Sequence, residues 1–263
     1  MYADQPGWEN IKTVFTIHNI QYQGVYGMEL IGDVLGMQPG TEHIVEYNGC
    51  VNLMKGAIET ANVVTTVSPS YANEILDPWF SHGLDNILAQ RRFKLSGILN
   101  GIDVDNYNPE TDKNIFANYT AEDFSAKKIN KAELQKMFNL PVNERTPVVG
   151  LVTRLVSHKG LDLIKVILDE LLATTDIQFV VLGSGDWQYE EFFKEMAARY
   201  PDKLGLRLGF VPDLARKIYA GADIFLMPSK SEPCGLSQMV ALRYGTVPIV
   251  RETGGLRDSI TDS

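Results

Sequence analysis

From Val148 onward, short β-branched runs alternate with amphipathic segments, and this alternation narrows the possible folds more than any other feature of the chain. PVVGLVTRL is followed by GLDLIKVILDELLAT, in which Leu161, Ile164, Leu168 and Leu171 recur at helical spacing. IQFVVLGSG, LGLRLGF, DIFLMPS and TVPIVRETGG repeat the strand pattern, separated by WQYEEFFKEMAARY, DLARKIYAGA and GLSQMVALRYG as helices. Continuous apolar strands spaced by helices predict an α/β fold with a parallel sheet covered on both faces. Upstream, KTVFTIHNI, ANVVTTVS and LSGILNG read as further strands, with a helical stretch over HIVEYNGCVNLMKGAIETA. After NGIDVDNYNPETD the composition turns polar and rich in Pro, Asn and Asp, which reads as a linker. KKINKAELQKMFNL then opens the second unit, so the predicted domains are 1–118 and 119–263.

The charge balance restricts the partners. Formal net charge is −9, from 24 basic and 33 acidic residues. That argues against a nucleic-acid or anionic-membrane surface, both of which want a basic face. A few local cations can still hold an anionic small molecule. No apolar run approaches the roughly 20 residues of a membrane span, and Met1 is not followed by a signal-peptide pattern. Cys50 and Cys234 lie far apart in dissimilar contexts, so reduced thiols and a cytoplasmic location are expected.

In open parallel sheets, ligands bind beyond the carboxyl ends of the strands. Those ends here carry His18, Arg154 with Lys159, Gly183-Ser184-Gly185, Ser229 to Glu232, and Thr253 to Gly255. Cations, glycines and one carboxylate at such ends predict a nucleotide or phosphate crevice. The Gly183 motif is no dinucleotide fingerprint, because Gln188 stands where a third glycine belongs; HKGLD is no P-loop. Arg154 and Lys159 border a helix start, where free N–H groups complete an anion site, although loop cations are often plain surface charge. Thr253-Gly254-Gly255 lets backbone N–H groups close on a phosphate. Asp103-Val104-Asp105 suits either a divalent cation or a turn, and the Asn and Pro crowding after it favours the turn. His43, His82 and His158 lack metal-ligand spacing. His18 is either a buried, hydrogen-bonded imidazole or a functional one. Cys234 is either a nucleophile at a helix mouth or a packed thiol, and the packed thiol is preferred.

Taken together, VFTIHNIQYQG, VSPSYANEI, LSGILNGID with YNPETD, TRL with SHKGLDLI, and PSKSEPCGLSQM with ALRYGT and PIVRETGGL closely resemble the bacterial glycogen/starch synthases over nearly the whole chain. The resemblance implies two facing Rossmann-like domains of the GT-B type. It implies transfer of glucose with retention from a sugar nucleotide, usually ADP-glucose, to the non-reducing end of an α-1,4-glucan, with no metal and no cofactor beyond the donor. By the same resemblance, Arg154 and Lys159 hold the donor diphosphate, and Glu232 faces the transferred glucose beside backbone groups of Gly235 and Leu236. Thr253, Gly254 and Gly255 line the phosphates, and His18 reaches the sugar from the other domain. Eight residues after Glu232, where related retaining transferases carry a second glutamate, stands Val240, which favours front-face attack over double displacement. The family's Lys-Thr-Gly-Gly-Leu loop does not occur, so the chain reads as a fragment with both domains incomplete. Alone it is expected to bind ADP weakly and to transfer essentially no glucose. A sucrose or trehalose-phosphate synthase, or a non-catalytic nucleotide or glycan binder, are the alternatives; EPCGL with HNIQYQG favours the glucan synthase.

Overall fold

The structure is a computed structural model that describes residues 6, 7 and 10–262. Contacts divide the chain into two compact units at Asn100/Gly101. Unit 1 contains β1 (Val14–Ile17), β2 (Val25–Tyr26), β3 (Glu46–Tyr47), β4 (Cys50–Asn52), α1 (Leu53–Thr60), β5 (Val63–Thr66), α2 (Pro69–Glu74), α3 (Asp85–Gln90) and β6 (Leu95–Gly97). The three predicted strands form a parallel sheet in the order β1-β5-β6.

The helix expected from His43 starts ten residues late. Glu46–Tyr47 and Cys50–Asn52 instead pair as an antiparallel hairpin, with Tyr47 opposite Cys50. The cause is Asn48-Gly49, both at positive φ (52° and 76°), the pairing that a two-residue hairpin turn demands. The helix begins only after Asn52, whose side chain caps it by accepting the Lys55 N–H at 2.9 Å.

Unit 2 contains α4 (Lys127–Met137), β7 (Val148–Val152), α5 (Leu161–Thr174), β8 (Gln178–Gly183), α6 (Trp187–Arg199), β9 (Leu204–Leu208), α7 (Pro212–Gly221), β10 (Ile224–Met227), α8 (Ser237–Arg243), β11 (Val247–Val250) and α9 (Gly254–Ser259). Its five strands lie parallel in the order β11-β10-β7-β8-β9. Alternate residues of the central strands serve opposite faces. Leu151, Phe179 and Val181 pack with Ile164, Leu168 and Phe193, while Val148, Val180 and Leu182 pack with Leu134, Leu214 and Ile218. Each fully buried side chain of this size stabilises the unit by roughly 1.5–3 kcal/mol. The strand order reverses between β7 and β10, which makes their carboxyl ends the place for a crevice. Among the described residues, no helix is long and apolar enough to cross a membrane.

The stretch after Asp112, expected from its polar composition to be a linker up to Lys127, belongs to unit 2 together with residues 101–112. Its composition misleads because a few apolar side chains anchor it, Ile115 and Tyr119 lying in one core cluster with Tyr219, Phe225 and Tyr244, and buried polar bonds do the rest. The Tyr119 hydroxyl donates to the Tyr244 carbonyl at 2.8 Å, and Asp112 accepts the Tyr244 hydroxyl at 2.5 Å and Arg216 Nη1 at 3.1 Å. Arg216 also donates to the Asn106 carbonyl at 2.6 Å and lies over the Tyr107 ring, 4.6 Å from its centroid. Burial alone would raise the Asp112 carboxyl, but bonds from Tyr244, the Asn114 N–H and Arg216 outweigh it and hold the group below its ordinary 3.8. A carboxyl lowered in the folded state gives stability that is fully present above about pH 4 and is lost as pH falls through the lower folded value. Urea unfolding across pH should therefore show unit 2 weakening below about pH 4. Asp112→Asn should be less stable at neutral pH, by an amount of the order of 3 kcal/mol for a broken buried pair, and should show a shallower acid loss.

Candidate functional site

The loop after β7 and the loop after β10 meet at the reversal of strand order. Gly160 makes the meeting possible: it sits at φ 74°, and a Cβ there would lie 1.9 Å from the Pro228 carbonyl oxygen. The Lys230 N–H donates to the His158 carbonyl at 2.8 Å, and the Lys230 ammonium reaches Asp162 Oδ2 at 2.6 Å. Asp162 is further fixed by the Tyr189 hydroxyl at 2.8 Å. The two loops are thus stapled by backbone, close contact and ion pair.

Lys159 and Glu232 come together across this junction. The ammonium lies 2.6 Å from Glu232 Oε2, with the two side chains only 15% and 9% exposed. The Ser229 hydroxyl donates to the same Oε2 at 2.9 Å. Burial, with Lys159 and Arg154 beside it, holds the His158 imidazole below its ordinary value.

The β11 end closes in from the other side. The Gly255 N–H donates to the Glu232 carbonyl at 3.0 Å, and a Cβ on Gly255 would lie 2.2 Å from the Cys234 carbonyl oxygen. Thr253, Gly254 and Gly255 are buried there. Gln238 ties the turn ahead of α8 by donating to the carbonyls of Cys234 (3.1 Å) and Gly235 (2.9 Å), and Leu236 stays half-exposed. Arg154, Lys159, Glu232, Gly235, Leu236, Thr253, Gly254 and Gly255 are therefore gathered at the carboxyl ends of β7, β10 and β11. His18 belongs to unit 1, where it is exposed directly after β1, not buried. Cys234 is buried, as a packing residue should be. Asp103 accepts the N–H groups of Asp105 (3.2 Å) and Asn106 (2.9 Å), which is turn chemistry. Gly183-Ser184-Gly185 runs against the loop after β7, the Leu155 N–H donating to the Ser184 carbonyl at 2.9 Å and the Asp186 N–H to the Leu155 carbonyl at 2.8 Å.

Beside the cations opens a cavity of about 350 Å³, lined by Tyr107, Arg154, Ser184, Phe210, Arg216 and Tyr219 among others. Phe210, 90% exposed just beyond β9, is a residue that the sequence reading missed. A signal for it exists: a large apolar ring stands after Gly209 at a strand's carboxyl end, outside any core periodicity. The site so assembled combines a flat aromatic wall, two cations and a buried carboxylate. Such a set can hold a ligand that is aromatic at one end, anionic in the middle and hydroxylated at the other.

Comparison with known proteins places the chain in a family. Residues 1–90 match the starch synthase catalytic domain model, and residues 132–263 match the model of glycosyl transferases group 1. The chain is 52% identical over 261 residues to the glycogen synthase of Alkaliphilus metalliredigens, covering 98% of this chain and 55% of that protein. It is 52% identical over 263 residues to the glycogen synthase of Desulforamulus reducens, covering 98% and 54%. The catalytic domain of starch synthase IV from Arabidopsis thaliana, solved bound to ADP and acarbose, superposes with a TM-score of 0.88 at 39% identity, over 99% of this chain and 55% of that one. The chain spans about half the length of these relatives. Since the second family model takes in half of the chain, the chain belongs to the glycosyl transferases group 1 family, and nearly all of it is similar to the glycogen and starch synthases.

Proposed function

We propose that this chain carries the donor side of a glycogen synthase, which moves glucose with retention from ADP-glucose to the non-reducing end of an α-1,4-glucan. The observation that carries the reading is the buried Lys159–Glu232 pair at the β7/β10 junction, beside a cavity with an exposed aromatic wall. The nucleoside occupies that cavity against Phe210. The diphosphate lies by Arg154, Lys159 and the backbone of Thr253 to Gly255, and the glucose meets Glu232 and the Gly235-Leu236 turn.

The chemistry is driven by charge. Breaking the anomeric C–O bond makes a cationic sugar and a more anionic diphosphate. Arg154 and Lys159 stabilise the diphosphate more as it leaves than before, and only such a difference accelerates the step. The Glu232 carboxyl lies beside the sugar's developing positive charge. Val240 occupies the place of a second acid and lies in the core of unit 2, which supports front-face attack, the leaving phosphate oxygen taking the acceptor's hydroxyl proton.

Labelled-glucose transfer from ADP-glucose to glycogen, run with this chain and with a chain of the relatives' full length, tests the reading. Arg154→Ala and Lys159→Ala should each reduce transfer by two or more orders of magnitude, the usual consequence of losing one preorganised charge contact. Near-normal turnover in either variant removes the diphosphate assignment. Glu232→Gln should depress turnover far more than ADP affinity; equal losses in both would contradict its place at the sugar. Phe210→Ala should weaken ADP about tenfold or more, since stacking of a base on an aromatic ring contributes roughly 1–3 kcal/mol. Calorimetry with ADP reads that loss directly, and an unchanged affinity would take the nucleoside out of this cavity.

A further inference from the structure

Glu232 is bound unevenly. Both of its partners, the Lys159 ammonium at 2.6 Å and the Ser229 hydroxyl at 2.9 Å, reach Oε2. Among the described residues Oε1 takes no hydrogen bond. A carboxylate has about four lone-pair sites shared between its two oxygens. Two donors on one oxygen fix the plane and rotation of the group and leave the other oxygen as the acceptor. Ser229 is suited to this task because it cannot wander: it is 1% exposed, one residue beyond Pro228, which lies against Gly160.

We infer that Ser229 is a positioning residue for Glu232: with Lys159 it occupies Oε2 and turns Oε1 toward the glucose hydroxyls. The inference rests on the donor reading above and adds a residue and an atom to it. It also gives Lys159 two tasks. An ammonium has three donors; one is committed to Glu232, which leaves two for the diphosphate. Phosphate and sugar sides of the site therefore share one cation. Ser229 touches only the carboxylate of this pair, so its loss should be felt by the sugar and not by the diphosphate.

This asymmetry is the test. Calorimetry on the 263-residue chain gives dissociation constants for ADP and for ADP-glucose, and their ratio isolates the contribution of glucose. Ser229→Ala should leave ADP within about twofold of the parent chain and weaken ADP-glucose about tenfold, as expected for a lost hydrogen bond to a charged group. Ser229→Thr, which keeps the hydroxyl, should restore most of the ratio. If the added methyl is not tolerated, a double-mutant cycle decides the matter: in the Glu232→Gln background, Ser229→Ala should change the ratio no further. Equal weakening of both ligands would make Ser229 a structural residue and overturn the inference, as would an unchanged ratio or a parent chain that gains nothing from the glucose. A parent chain that does not bind ADP at all would instead overturn the donor reading on which the inference stands.

Discussion

The chemistry of unit 2 depends on one approach of backbone to backbone, Gly160 against Pro228. A side chain at residue 160 would collide with the Pro228 carbonyl, and the left-handed conformation there would cost a non-glycine residue roughly 1–2 kcal/mol besides. With the two loops spread by even a few ångströms, the 2.6 Å contact between Lys159 and Glu232 could not form. That contact is not what holds the loops. Removing two charges from water can cost more than their attraction returns, and the loops have other fastenings in the Lys230–Asp162 pair and the Lys230–His158 backbone bond. The loops are thus joined by contacts other than this pair, which leaves the pair available for ligand chemistry.

The segment 101–126 shows the same division of labour in a different form. Arg216 is at once an anchor, through Asn106 and Asp112, and a lining residue of the cavity against which Phe210 stands. Tyr107, stacked on the guanidinium, lines the same cavity. A stretch with no secondary structure of its own before Lys127 thereby supplies part of the wall for a ligand-sized space. Polar docking of this kind is geometrically exacting, because each bond must be satisfied as it is buried.

How far the sequence could be read depends on the physical origin of each signal. The strands of unit 2 were legible because both faces of the sheet are covered, so runs such as QFVVLG are buried at every position. The residues at the carboxyl ends of β7, β10 and β11 were legible for the same reason: once the strands are placed, the loops leaving them lie at the crevice. Strand order was not legible, because pairing of β7 with β10 depends on side chains distant in sequence. Nor was the Lys159–Glu232 contact, which exists only once that order is known. The hairpin at Asn48-Gly49 could have been read, since two positive-φ residues between β-prone neighbours are a strong turn signal; the apolar pattern that continues into α1 masked it. The docking of 101–126 leaves no periodic trace, because its buried apolar residues, such as Ile115 and Tyr119, stand singly among polar ones.

The strand order also says when the site can come into being. β7 finds β8 on one side after a single intervening helix, but its other neighbour, β10, arrives only after three helices and two strands have been made. Pairings so far apart along the chain form late, because the loop they close carries a large entropy cost. As the chain is synthesised, β7 must wait with one edge open until Ile224 meets Val149. The β7/β10 junction of the crevice therefore forms with the pairing that covers that edge, and β11 adds its end by pairing with β10. Any variant that slows this pairing would lower the yield of competent protein while leaving the finished molecule unchanged.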